Sequence, residues 1–180
     1  MKFKPRKIDS SVIEVEGWVT LETKNQRQKA KNTILWQGLR ELWWAVQGSE
    51  QMGSFLSPYA NIGTDTSTPT TISTTSLIST FITSPPMMTG SYQDKYILST
   101  DGATYWANVI STQFPASYFT TTWTIGEIGY YTYVYPTNGS PYTLGLFSRL
   151  AVADGTLSTF TVNGSTYLNI LWSLEFKFGG

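Results

Sequence analysis

The sequence contains no cysteine and no histidine. Their absence excludes a disulfide framework, a cysteine nucleophile, a Ser-His-Asp triad and a Cys/His zinc site. Charge is scarce too. Only 13% of the 180 residues are Asp, Glu, Lys or Arg, about half the usual share. Twelve basic and twelve acidic residues cancel, so no whole-chain field draws the protein to nucleic acid or anionic lipid, and nucleic acid is not an expected partner. No apolar run reaches the roughly 18–20 residues of a membrane-spanning helix. Residues 1–7 are basic, but Ile8, Asp9, Ser10 and Ser11 follow where a secretory signal would carry its apolar stretch, so no export signal is read there.

What is present is aromatic and apolar: 15% Phe, Trp and Tyr within 41% hydrophobic residues, enough for a sizeable core. Nine of the twelve basic residues fall in the first fifty positions, leaving only Lys95, Arg149 and Lys177 beyond. The expected organisation is a basic N-terminal arm over 1–11 and a single β-sandwich domain over 12–180. Residues 12–22 alternate as a strand, with Ile13, Val15, Val19 and Leu21 on one face. Residues 24–31 read as a polar, positively charged loop. One helix is predicted over 33–47, capped by Asn32 or Thr33 and stopped by Gly48. Trp36, Leu39, Leu42 and Trp43 are expected to be buried, with the helix clasped by its own sheet and by a neighbouring subunit.

Beyond residue 53 the pattern is strand and turn. Strands are expected at 59–64, 94–100, 103–111, 118–125, 127–135, 142–152, 157–162 and 166–178, separated by Asp-Gly and Asn-Gly turns and Pro115. Many short strands with closely spaced turns indicate a mainly β protein: an antiparallel, jelly-roll-like β-sandwich with one packed helix. Residues 64–91 are rich in Thr, Ser and Pro and poor in helix formers, so they read as an extended arm or loop. Leu77, Ile78, Phe81 and Ile82 would anchor that arm on an adjacent subunit. Together with Trp36 and Trp44 they form the expected assembly interface.

Acidic residues are the remaining catalytic candidates: Asp65, Asp94, Asp101, Glu127, Asp154 and Glu175, as a carboxylate pair for glycoside hydrolysis. Asp101 and Asp154 precede glycines and suit turns. Glu127 sits between two glycines in an apolar strand. It is read as a carboxylate paired with a basic residue such as Arg149, in preference to a catalytic acid. A calcium site using Asp65, Asp94 or Asp101 lacks the EF-hand pattern. No cofactor or metal is expected. Tyr130, Tyr131, Tyr133 and Tyr135 with Tyr105, Trp106 and Trp123 suit a core or a subunit interface, or else a sugar-stacking platform.

The order of segments resembles virion structural proteins, the tail, tail-fibre and collar-type proteins of tailed bacteriophages and archaeal viruses. The likeness rests on the 12–22 strand, the basic loop, the helix opened by Asn32, and the Ile62-Gly63-Thr64 turn before the Thr-rich stretch. Later segments add Ile125-Gly126-Glu127-Ile128-Gly129-Tyr130, Leu146-Phe147-Ser148-Arg149-Leu150 and the closing strand 167–176. The family pattern prefers a leucine-like residue where Tyr130 stands. The resemblance implies a non-enzymatic subunit, made in the host cytoplasm and located in the virion. It would assemble as a homo-oligomer and with other virion proteins. A glycan- or receptor-binding module, with a host-surface glycan as partner, is the alternative.

Overall fold

The computed structural model describes residues 12–46, 59–80, 88–89, 91–98, 104–134 and 143–179. In chain order the strands are β1 (Val12–Glu22), β2 (Arg27–Lys31), β3 (Thr33–Ile34), β4 (Tyr59–Gly63), β5 (Met88–Thr89), β6 (Ser91–Leu98), β7 (Thr104–Phe114), β8 (Trp123–Ile125), β9 (Glu127–Val134), β10 (Thr143–Ala151), β11 (Phe160–Val162) and β12 (Leu168–Gly179). The helix α1 (Trp36–Val46) lies between β3 and β4. The expected arm at 1–11, together with Asp101, Phe81 and Ile82, falls outside the described residues.

The strands build one five-stranded sheet in the order β2-β1-β12-β7-β6 and another in the order β3-β10-β9-β4-β5, with β11-β8 as a separate ribbon. Every pairing between these strands is antiparallel. Pairing is nested: β1 with β12, β3 with β10, β4 with β9. This is the connectivity of a rolled-up hairpin, joined by the local β6–β7 and β9–β10 hairpins. The mainly β sandwich with one helix near the N-terminus is therefore the observed fold.

Period-two alternation explains the core. Along β12, Leu168, Ile170, Trp172 and Leu174 are buried; along β1, Val19 and Leu21 are buried. They meet Ala60, Ile62, Ile128, Tyr130, Phe147 and Leu150 of the second sheet in one cluster. Tyr130 spans the layers, with its ring centroid 5.6 Å from Trp172 and 5.3 Å from Phe147. Ile125, Phe160 and Val162 of the β8–β11 ribbon join the same cluster.

Two local expectations are corrected. Residues 27–31 are a strand rather than a loop: their charged side chains point outward on a sheet edge, where Lys is tolerated. Lys29 and Lys31 lie 4.6 and 5.9 Å from the Trp18 ring centroid and pair with Glu175 and Glu16. The helix begins at Trp36, because Thr33–Ile34 pairs with Arg149 and Ser148 of β10 instead of coiling. Leu35 N–H then donates to Phe147 O at 2.9 Å and Trp36 N–H to Ile72 O at 3.0 Å, satisfying two backbone donors at the helix start.

Candidate functional site

Four of the sequence-predicted polar residues converge on the β9–β10 hairpin. Glu127 opens β9 and Arg149 lies on β10, paired through the backbone with Gly129. Both side chains are fully buried. Arg149 Nε and Nη2 donate to Glu127 Oε2 at 3.0 and 2.8 Å. The same oxygen accepts from Ile78 N–H at 3.1 Å, and Oε1 accepts from Ser79 N–H at 2.7 Å. All of these bonds engage a charged group, the stronger class of hydrogen bond. The expected Glu127–Arg149 pairing is thus present, and it reaches further than the sequence indicated.

The guanidinium also grips the Thr-rich segment. Arg149 Nη1 donates to Thr68 O at 3.1 Å and to Thr70 Oγ1 at 3.0 Å, and Nη2 lies 3.6 Å from Asp65 Oδ2. Asp154 accepts from Thr70 N–H at 2.6 Å, from Thr70 Oγ1 at 2.7 Å and from Ala151 N–H at 2.9 Å. Asp65 folds its own turn, accepting from Ser67 Oγ at 2.8 Å and Thr68 N–H at 3.0 Å. Burial raises the Asp65 carboxyl, but the Ser67 and Thr68 hydrogen bonds outweigh it and hold the pKa below the ordinary value.

Residues 64–80 are therefore a strap across their own domain. This corrects the expectation of an arm that takes its order from another subunit. The strap's ends are held by backbone bonds, Thr64 N–H to Ser79 O at 2.9 Å and Gly126 N–H to Gly63 O at 2.9 Å. Gly63 and Gly126 permit this close approach: a Cβ on either would overlap the Glu127 side chain and Ser79 O, or Asp65 O. Under the strap, Leu77 is buried with Leu35, Tyr131 and Leu146 in a second apolar cluster. Leu77 N–H donates to the Tyr131 hydroxyl at 3.4 Å. Burial raises the Tyr131 pKa; the Leu77 bond opposes that, the Glu127 charge adds to it and Arg149 opposes it.

The remaining candidates are scattered. Glu175 lies on the outer face of the first sheet beside Lys29, and Asp94 lies in β6 opposite Asn108. Among the described residues no group of three or more acidic side chains is arranged to hold a metal ion. Arg149 supplies the cation that Glu127 and Asp65 turn toward.

Of the expected interface residues, Leu77 is buried within its own chain, whereas Ile78 is exposed. Trp36 is 62% and Trp43 53% exposed, which corrects their expected burial in the core. Leu35, one residue before the helix, is the fully buried anchor, and Leu39 and Leu42 are half-buried. Seven residues apart, Trp36 and Trp43 share one face of α1. The side chain of Trp44 lies outside the described residues. No family model, no curated protein and no solved structure matches this chain.

Proposed function

We propose that the protein is a non-enzymatic structural subunit of a virus particle, in the tail or at a tail-like vertex, assembling through the aromatic face of α1. The observation that carries this reading is the pair of exposed tryptophans, Trp36 and Trp43, on a domain that buries its Glu127–Arg149 ion pair. Tryptophan is the residue type most often found at the energetic centre of protein–protein contacts, and two on one helix face are costly to leave in water. The buried carboxylate is consistent with a non-catalytic role: Glu127 has no exposed surface and both its oxygens accept protein hydrogen bonds. The resemblance of the segment order to virion proteins supplies the virion part of the proposal.

Light scattering at micromolar concentration tests it, comparing the unsubstituted chain with Trp36→Ser/Trp43→Ser. The expected result is an oligomer that dissociates in the double variant, with the chain found by mass spectrometry in purified particles. A monomer absent from particles overturns the reading. A monomer whose glycan-array signal vanishes in the double variant replaces it with a glycan-binding module.

A further inference from the structure

We propose that the sandwich interior binds one water molecule, bridging Asn32 Oδ1 and the indole N–H of Trp172 where the chain crosses between the two sheets. Asn32 is the single residue between β2 of the first sheet and β3 of the second. Trp172 points inward from β12. The two side chains line a cavity of about 10 Å³, with Tyr130, Phe147, Ser148 and Ile110 around it. That is close to the smallest volume that holds one water.

Chemistry selects the occupant. Asn32 is 8% and Trp172 3% exposed, and among the described residues neither Asn32 Oδ1 nor Trp172 Nε1 has a hydrogen-bond partner. One is an acceptor only, the other a donor only. A cation would face the indole N–H, an anion would face the amide oxygen, and an apolar occupant would leave both unsatisfied. Water donates to the amide oxygen and accepts from the indole with the same atom set. Its second hydrogen remains available to the polar atoms lining the cavity. Buried polar groups left without partners are rare in folded proteins, and an internal water is the usual remedy.

Gly17 leaves room for the Asn32 amide. Asn32 N–H donates to Gly17 O at 3.0 Å, fixing the crossover residue against β1. A Cβ at Gly17 would overlap the Asn32 amide. The Gly17→Ala substitution therefore drives that amide away from β1 and disturbs the site without changing either hydrogen-bonding group.

Two measurements on the full chain test the proposal. In solution, the Trp172 indole proton, identified by its loss in Trp172→Phe, should show a cross-peak to water with the sign of a bound molecule. Gly17→Ala should abolish it while the other indole signals keep theirs. A Trp172 indole with no water cross-peak, or one unchanged by Gly17→Ala, overturns the proposal. A crystal structure of the unsubstituted chain gives an arm that needs no variant to fold. A density peak at about 2.7–3.2 Å from both atoms is expected. A cavity without that peak, or a direct contact between amide and indole, refutes the site.

Discussion

Replacing Arg149 by Met is the most informative perturbation of the buried cluster. It removes two of the three donors to Glu127 Oε2, leaving Ile78 N–H, and it takes the Arg149 donor from Thr68 O. Glu127 stays fully buried, so its charge would be held by two backbone N–H groups alone. Breaking a buried ion pair by deleting one partner costs about 3–5 kcal/mol. Total stability for a domain is about 5–15 kcal/mol, so the loss is a large share. For a chain of this length it corresponds to a drop in Tm of roughly 6–20 °C. Urea unfolding followed by tryptophan fluorescence measures it. Adding Glu127→Gln removes the stranded charge while keeping an amide oxygen for the strap. The double variant should recover about 1–3 kcal/mol relative to Arg149→Met alone. Hydrogen exchange supplies the local readout: the amides of Ile78 and Ser79 should open ahead of the core strands. A loss under about 1 kcal/mol in the single variant, or no recovery in the double, refutes the claim that this pair fastens the strap.

Three further outcomes follow from the same packing. Leu35→Ala should cost about 2–5 kcal/mol, whereas Trp43→Ala should change monomer stability by less than about 1 kcal/mol; chemical denaturation of both variants checks the contrast. Asp65, with its pKa held below the ordinary 3.8, contributes stability that is present above that value and is lost as pH falls through the lowered pKa. Asp65→Asn should therefore flatten the fall of Tm between about pH 5 and pH 2 relative to the unsubstituted chain, and an unchanged slope would exclude this contribution. Asp154→Ala should release Thr70 N–H and Ala151 N–H together, read as faster exchange at both amides with little change at Trp172.

Much of the sandwich was legible because period-two alternation survives wherever one face of a strand is covered. Leu168 through Leu174 show it, and so do Val19 and Leu21. The Glu127–Arg149 pair was legible from scarcity: few basic residues lie beyond position 50, and a carboxylate in an apolar strand needs one of them. The strap was not legible. Its order comes from side chains at 127, 149 and 154, far away in sequence, and a Thr/Ser-rich stretch carries no periodicity that reports those partners. The helix starts later than the residue spacing predicts for a related reason. Ile34 and Leu35 continue the helical spacing of Leu39 and Leu42, but pairing of Thr33–Ile34 with β10 competes with coiling and wins. The apolar residues crowding the helix at three- and four-residue spacing predict Trp36 and Trp43 inside, against the sheet. Their exposure is a property of what surrounds the helix, which residue spacing does not encode.

The position of β12 has a consequence for synthesis. It lies between β1 and β7, paired along its length with both, although β1 comes from the beginning of the sequence. While residues 168–179 are still inside the ribosome, β1 and β7 each present an unsatisfied strand edge, and the first sheet has no centre. Vectorial, strand-by-strand folding cannot complete that sheet; the nascent chain must wait, with the β9–β10 and β6–β7 hairpins able to form early. Such long-range closure slows folding and lengthens the interval in which open edges can meet other nascent chains. Slowed translation just before residues 168–179 emerge should therefore lower the soluble yield, and a chaperone that shields exposed strand edges should restore it.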